Sequence, residues 1–305
     1  MGERRARRPV VAVVGPTAAG KSDLAVDLAL RLGGEAINAD SMQLYRGMDI
    51  GTAKLSLAER RGVPHHLLDV WDMSETASVA EYQRMARPLI DALQAAGTVP
   101  VLVGGSGLYV RAALDDLEFP GTDPGIRARL EAELAQVGPE VLHQRLKERD
   151  PVAAEAVLAS NGRRIVRALE VIELSGRPFS ATMPSYDAIY DSVQIGLQVP
   201  RPVLDERIAL RVDRMWEAGF VDEVRLLAGR GLPQGRTASR ALGYAQVLRF
   251  LQGEWTEDQA REETVRATRR FARRQESWFR RDPRVRWLPF DAPDLLEQAL
   301  ALAGA

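Results

Sequence analysis

The first third of the chain alternates short apolar runs with segments of helical periodicity. The apolar runs predict buried strands at residues 9–14, 35–38, 66–70 and 99–103. Two segments between these runs have the apolar spacing and the end signals of helices, at residues 21–32 and 80–96. Strands that alternate with helices are typical of a parallel sheet with helices on its faces.

The pattern changes after about Leu117. Residues 123–174 contain no strand-like run and predict three helices, with separations near 137–139, 150–151 and 160–162. Strands are predicted again at 192–199 and 285–288, and the chain from Pro202 onward is otherwise helical, with breaks at Gly219 and 231–235. We therefore expect an α/β fold in which residues 1–117 and 190–305 form the core domain and 118–189 form an all-helical insertion.

Composition and charge exclude several classes of protein. An apolar fraction of 46% and a charged fraction of 27% are typical of a globular chain and not of a disordered one. The absence of cysteine excludes a disulfide framework, a thiolate zinc site and a cysteine nucleophile. No segment is long enough to cross a membrane and no secretory signal is present, so we expect a cytoplasmic protein without a membrane partner. We expect a monomer.

A phosphate-binding loop follows the first predicted strand. Its residues are Gly15, Pro16, Thr17, Ala18, Ala19, Gly20, Lys21 and Ser22, and they match the full pattern between a strand and a helix. The loop amides and the helix N-terminus attract phosphate oxygens, Lys21 adds a full charge, and the Ser22 hydroxyl is a candidate ligand for Mg²⁺. The fold expected is therefore similar to that of P-loop NTPases. The motif indicates a di- or triphosphate without specifying ATP or a reaction.

Asp40 is the second candidate for chemistry. It follows the second predicted strand, at the end of the sheet that faces the ligand crevice, where a general base is useful. By itself an aspartate in this position is more typical of a turn or a helix cap. The segment that it opens, residues 40–54 (DSMQLYRGMDIGTAK), is polar and contains glycine, and core packing does not require such a composition.

These segments together resemble the tRNA dimethylallyltransferases, also called tRNA isopentenyltransferases, along nearly the whole chain. The segment at 40–54 is the most specific, because the phosphate loop is shared with many families. The other matching segments are 15–22, 64–69, 103–109, 163–170, 241–244 and 267–279.

The resemblance implies transfer of a dimethylallyl group from dimethylallyl diphosphate to N6 of the adenosine on the 3′ side of the anticodon, in tRNAs that read codons beginning with U. It implies that the ligand of the phosphate loop is the diphosphate of the prenyl donor and not ATP, and that Mg²⁺ binds with this diphosphate. It also implies that Asp40 is the general base, that Thr17 lies near the reacting centre and that Arg211 binds pyrophosphate.

The resemblance further implies contacts with the tRNA anticodon stem-loop. The residues concerned are Asp40, Ser41, Met42, Gln43, Ser106, Arg127, Arg163, Arg164, Arg167, Arg240, Gly243 and Tyr244. The net charge of −1 hides a basic segment, because residues 261–286 contain ten arginines and only four acids. Helical spacing places many of these arginines on one face, which indicates phosphate contacts, although a solvated face with acidic partners is the alternative.

The chain departs from the family pattern at three points. Leu55 stands where proline is frequent, Ala245 stands where a basic residue is frequent, and a cysteine-free chain cannot carry the zinc finger of some eukaryotic members. Three other functions remain open at this point: a P-loop small-molecule kinase, an isopentenyltransferase that acts on free adenine nucleotides, and a nucleic-acid-binding protein without catalysis. The segment at 40–54 and the arginine-rich helix favour the tRNA enzyme, because a kinase for small acceptors requires neither.

Overall fold

One parallel sheet organises the core of the protein. The computed structural model describes residues 8–182 and 186–304. Its strands are β1 Val10–Val14, β2 Gly34–Asn38, β3 His65–His66, β4 Val99–Gly104, β5 Ser192–Gln198 and β6 Val285–Pro289. They form one six-stranded sheet in the order β3-β2-β4-β1-β5-β6, and every neighbouring pair is parallel. The expected parallel α/β fold is confirmed.

Helices connect and flank these strands. In the described residues they are α1 Lys21–Leu32, α2 Val79–Ala95, α3 Gly107–Leu114, α4 Pro124–Val137, α5 Pro139–Arg149, α6 Pro151–Ala156, α7 Gly162–Ser175, α8 Arg201–Glu217, α9 Phe220–Ala228, α10 Tyr244–Leu251, α11 Glu257–Phe279 and α12 Leu295–Leu302. Several begin at a side-chain cap: Asn161 accepts a hydrogen bond from the Arg164 amide, and Thr256 forms a capping box with Gln259. No helix within the described residues is apolar over a length that could span a bilayer.

Two predicted elements differ from the structure. The strand expected at 66–70 is limited to β3, because Leu67 and Asp69 have φ angles of 58° and 57°, which a strand cannot adopt. The segment at 123–174 contains four helices and not three, because the chain between the predicted breaks at 150–151 and 160–162 forms a short helix of its own, α6. The Asp150 carboxylate caps α6 by accepting from the Ala153 amide.

The chain divides into two compact units. One comprises the described residues up to Leu114 together with those from Ala188 onward, and the other comprises Asp115–Asp187. The sheet and the helices on its faces bury the apolar core of the first unit. The second unit consists of helices around a core of its own, which includes Leu130, Leu146 and Leu169.

The sheet brings three loops to the same edge. In the register of the sheet Val14 lies opposite Gly104, and Asn38 lies opposite Val103. The phosphate loop after β1, the segment after β2 and the loop after β4 therefore leave the carboxyl ends of three adjacent strands. In an open parallel sheet ligands bind at this edge.

Candidate active site

The phosphate loop turns tightly between β1 and α1. Gly15 and Gly20 have positive φ angles of 131° and 100°, and Ala18 also lies in the left-handed region with a φ of 63°. The Lys21 ammonium group donates to the Pro16 carbonyl oxygen across the loop at 2.7 Å. Ser22 lies in the first turn of α1, so its hydroxyl is at the N-terminus of that helix, where anions and their counterions collect.

Three charged side chains influence one another beside this loop. Burial lowers the pKa of Lys21 to about 8, with the neighbouring Arg211 acting in the same direction and Asp40 opposing both. Burial also lowers the pKa of Arg211, which Asp40 partly restores. Arg211 lies on α8 and donates to the Thr52 carbonyl oxygen at 3.3 Å. Two cations and one carboxylate leave a surplus of positive charge in a partly desolvated site, and such a site favours an anionic ligand.

A cavity of about 1000 Å³ opens next to these charges. The phosphate loop, the segment around residues 49–60 and α8 all contribute to its wall. Its polar lining includes Lys21, Ser22 and Arg211, and its apolar lining includes Ile50, Leu55, Leu57, Leu210 and Met215. The cavity suits a ligand with a charged head and a short apolar tail. Leu55, one of the departures from the family pattern, is part of its apolar wall.

Hydrogen bonds hold Asp40 in a defined turn after β2. The Asn38 carboxamide accepts from the Asp40 amide at 2.8 Å and donates to the carbonyl oxygens of Asp40 and Leu67 at 3.0 and 2.9 Å. One carboxylate oxygen of Asp40 accepts from the Met42 amide at 3.0 Å. The Ser106 hydroxyl accepts from the Ser41 amide at 3.3 Å, which joins this turn to the loop after β4.

Ion pairs and a side-chain hydrogen bond hold the segment at 49–54 in place. The side chain of Lys54, only 3% exposed, forms ion pairs with Asp49 and Asp69, each at 2.6 Å. The Gln43 side chain donates to the Thr52 carbonyl oxygen at 3.1 Å. These contacts explain why the segment contains polar residues that a hydrophobic core does not require.

The residues predicted to contact tRNA fall into different environments. In the first unit Ser41, Met42, Gln43 and Ser106 lie around Asp40 and are partly exposed, and Arg240 is exposed. Gly243 and Tyr244 are buried, and Tyr244 has no exposed surface for RNA in this structure. Its hydroxyl instead donates to Glu223 at 2.6 Å.

The arginines of the helical unit that were predicted to contact tRNA are also of two kinds, exposed and paired with a buried carboxylate. Arg163 and Arg164 are exposed at the start of α7. Arg127 and Arg167 both form ion pairs with Glu170, whose side chain is fully buried. Arg167 also donates to the carbonyl oxygens of Pro120 and Gly121 at 2.6 and 3.0 Å. Arg127 and Arg167 therefore stabilise the unit itself, whereas Arg163 and Arg164 present their charge to solvent.

The arginine-rich helix α11 is more evenly paired than its sequence suggested. Arg266 and Arg270 form ion pairs with glutamates of the same helix, and Arg280 pairs with Glu276. Arg273 and Arg274 are exposed. Exposed pairs of this kind contribute little to stability and are screened by salt, so their arginines can still exchange a carboxylate for a phosphate. Contact of this face with RNA stays a prediction.

A family model described as IPP transferase matches residues 43–282. The chain belongs to the IPP transferase family. It is 74% identical to the tRNA dimethylallyltransferase of Thermobifida fusca over 96% of this chain and 93% of that protein. It is 73% identical to the tRNA dimethylallyltransferase of Streptomyces coelicolor over 94% of this chain and 92% of that protein. The family resemblance inferred from the sequence motifs is confirmed.

Solved structures agree with this membership. The full-length tRNA isopentenylpyrophosphate transferase of Bacillus halodurans is 42% identical, with a TM-score of 0.72 over 98% of this chain and 95% of that one. A eukaryotic dimethylallyltransferase, in a structure described as acting on tRNA, is 26% identical. Its TM-score is 0.83 over 97% of this chain and 78% of that one.

This member of the IPP transferase family also uses residues that motif reasoning missed. Gln275 accepts a hydrogen bond from the Thr17 amide, and Arg207 donates to the Ala18 carbonyl oxygen at 2.7 Å. Glu223 accepts from the backbone amides of the turn at 49–51. All three lie far from the phosphate loop or the segment at 40–54 in sequence. In the sequence each of them is simply a polar residue within a predicted helical region, and its contact became apparent only in the structure.

Proposed function

We propose that this protein transfers a dimethylallyl group from dimethylallyl diphosphate to N6 of the adenosine on the 3′ side of the anticodon, in tRNAs that read codons beginning with U. The observation that carries the proposal is that Asp40 lies close enough to Lys21 and Arg211 to act on the pKa of both, and that these two cations line a cavity with one charged and one apolar part. The close relatives named tRNA dimethylallyltransferase support the same substrates.

The reaction requires one bond to break and one to form. The carbon–oxygen bond between the dimethylallyl group and the diphosphate breaks, the electron pair leaves with the diphosphate, and a bond forms from the adenine N6 to the allylic carbon. Positive charge develops on the allylic carbon and negative charge on the leaving oxygen. Lys21, Arg211 and the amides of the phosphate loop stabilise that negative charge, and a preorganised site of this kind costs no reorganisation during the reaction.

Asp40 accepts the proton that N6 loses. The adenine amine is a poor nucleophile because its lone pair is delocalised into the ring, so removing its proton during the attack favours bond formation. General-base catalysis of this type contributes about 10²–10⁴-fold to a rate. Asp40 is held by Asn38 and Met42 in a fixed turn, which presets the position of the base.

The residues present fit a magnesium ion bound mainly by substrate. Among the described residues there is no cluster of three or more acidic, histidine or cysteine side chains that could hold a metal alone. Mg²⁺ characteristically takes one or two protein ligands and completes its shell with phosphate oxygens and water. The Ser22 hydroxyl at the head of α1 is the protein ligand that we propose, and the bound ion would neutralise charge on the diphosphate.

Recognition of tRNA is assigned to partly exposed residues around Asp40, to the exposed Arg240 and to the helical unit. Ser41, Met42, Gln43, Ser106 and Arg240 would contact the adenosine and its neighbours. The adenosine must leave the base stack for its amine to reach the diphosphate. Arg163 and Arg164 would contact phosphates of the anticodon stem-loop.

The test is a transfer assay without ATP. Purified protein, Mg²⁺ and radiolabelled dimethylallyl diphosphate are incubated with unmodified tRNA, and a matched tRNA with guanosine in place of the target adenosine is the control. We expect label only in the adenosine-containing tRNA. A parallel reaction contains AMP in place of tRNA, and label in AMP but not in tRNA would indicate the nucleotide isopentenyltransferase. A separate reaction contains ATP and small acceptors, and ATP turnover there without prenyl transfer in the other reactions would indicate the kinase.

A further inference from the structure

A buried amide side chain near the C-terminal end of α11 contacts two of the loops that form the site. Gln275 is 4% exposed. Its side-chain oxygen accepts from the Thr17 amide of the phosphate loop at 2.9 Å. Its side-chain nitrogen donates to the Gly105 carbonyl oxygen, in the loop after β4, also at 2.9 Å. Both polar ends of the carboxamide are therefore satisfied, each by a different loop.

The loop after β4 is shaped to receive this helix. A Cβ atom on Gly105 would lie 2.2 Å from the Gln275 side-chain nitrogen, and one on Gly107 would lie 2.1 Å from the Trp278 ring. Contacts this short leave no room for a side chain at either position. One face of α11 thus rests directly on the backbone of this loop, and the position of Gln275 is determined by packing as well as by hydrogen bonds.

The same loop contacts the turn that carries Asp40. The Ser106 hydroxyl accepts from the Ser41 amide at 3.3 Å. At the end of β4, where this loop begins, a Cβ atom on Gly104 would lie 2.4 Å from the carbonyl group of Ala39. A continuous path of contacts therefore runs from Thr17 through Gln275 and the loop after β4 to the residues on either side of Asp40.

The contact with Gln275 also determines what the phosphate loop presents to its ligand. The amides of a phosphate loop ordinarily point inward at phosphate oxygens. The Thr17 amide points at Gln275 instead, so it is not a donor to the diphosphate in this arrangement. Because the Thr17 backbone is held in place, the orientation of the other loop amides toward the ligand is set as well.

We propose that Gln275 is a positioning residue that holds the phosphate loop and the Asp40 turn at the separation required for prenyl transfer. The proposal rests on the proposed function, since it concerns the distance between the leaving diphosphate and the base. Gln275 is buried and both of its polar ends bond to the protein backbone, so we assign it no contact with either reactant. Its effect is on orientation, and a displacement of about 1 Å between reacting groups can lower a rate roughly 10²-fold.

Only a carboxamide of this length can make both contacts. Methionine has nearly the same shape but neither a strong donor nor a strong acceptor, so Gln275→Met removes both links while keeping the packing. Glutamate keeps the acceptor for the Thr17 amide and loses the donor to Gly105, so Gln275→Glu removes one link. The matched control is Gln259→Met, because Gln259 is an exposed glutamine on the same helix whose side chain only caps the N-terminus of α11.

The test compares these variants in single-turnover transfer at saturating tRNA and dimethylallyl diphosphate. We expect the rate of Gln275→Met to fall roughly 10²-fold with unchanged tRNA affinity, and that of Gln259→Met to stay at the wild-type level. Amide hydrogen exchange at Thr17 is measured in parallel. The amide should be protected in the wild type and in Gln275→Glu, and should exchange rapidly in Gln275→Met.

The outcomes separate this proposal from the proposed function. If the wild type transfers the prenyl group and Gln275→Met is equally fast, the positioning role is wrong while the function stands. If the wild type transfers nothing to tRNA, the proposed function is wrong. The exchange rate of the Thr17 amide then tests its hydrogen bond to Gln275 independently of activity. Equal protection of that amide in the wild type and in Gln275→Met would overturn the positioning role. If Gln275→Met does not fold, Gln275→Glu decides: a slow rate with Thr17 still protected supports the proposal, and a wild-type rate contradicts it.

Discussion

The hydroxyl of Tyr244 donates a hydrogen bond to the Glu223 carboxylate at 2.6 Å in the interior of the first unit. The same carboxylate accepts from the backbone amides of Asp49, Ile50 and Gly51. Burial raises the pKa of Tyr244, and the negative charge of Glu223 raises it further, so the hydroxyl stays a donor throughout the physiological range. One carboxylate thus organises the turn that lines the cavity.

Tyr244→Phe tests this arrangement through stability. The change leaves the ring in place and removes one of the four donors to Glu223, so we expect the free energy of unfolding to fall by about 1–3 kcal/mol, as for other hydrogen bonds to charged groups. Urea denaturation measures the change. Tyr190→Phe is the matched control, because the Tyr190 hydroxyl donates to the neutral carbonyl oxygen of Arg87, and a smaller loss is expected there. Equal losses in the two variants would contradict the special role of Glu223.

Asp40→Ala tests the general base. Without a carboxylate to accept the N6 proton, we expect the chemical step to slow by about 10²–10⁴-fold while tRNA affinity stays near that of the wild type. Single-turnover rates measure the first quantity and filter binding measures the second. Asp23→Asn is the control, since Asp23 is an exposed acid in the wall of the cavity and has no proposed role in proton transfer. An unchanged single-turnover rate in Asp40→Ala would rule out the assignment.

The double variant Arg163→Gln with Arg164→Gln tests the RNA surface of the helical unit. Both arginines are exposed, so we expect their loss to weaken binding of all tRNAs to a similar extent and to reduce the dependence of affinity on salt, without loss of stability. Arg127→Gln is the contrasting variant, because it removes a partner from the buried Glu170 and should destabilise the unit by about 1–3 kcal/mol. If the double variant keeps the tRNA affinity and the salt dependence of the wild type, phosphate contacts by these two arginines are excluded.

Glu170 should make the helical unit sensitive to acid. Burial raises the pKa of Glu170, but hydrogen bonds from Arg127, Arg167 and the Asp123 amide outweigh it, so the pKa lies below its ordinary value. A lowered pKa contributes stability that is complete above the ordinary value, about 4.3, and is lost as the pH falls through the value in the folded state. We expect the urea concentration at the midpoint of unfolding of the helical unit to decrease below about pH 4. Glu170→Gln should show a weaker dependence on pH over this range, and an equally steep one would refute the link.

Local patterns along the chain are enough to predict several parts of this protein. Apolar periodicity indicated the sheet and the change to helices near Leu117, because burial of one face imposes a period on each element. The phosphate loop and Asp40 could be located because each follows a strand directly, and parallel strands present their carboxyl ends at one edge. Asn161 was recognisable as a cap because capping acts over three residues.

The identity of the polar residues that face inward emerges only from the folded chain. Gln275 lies 258 positions from Thr17, and Glu223 lies 174 positions from Asp49, so no local pattern connects either pair. Arg163 and Arg167 are similar in sequence, but Arg167 pairs with the buried carboxylate of Glu170 and donates to backbone carbonyl oxygens, whereas Arg163 is exposed. A short-range pattern reports the period of burial, whereas the partner of a buried polar group depends on chain segments that meet only after folding.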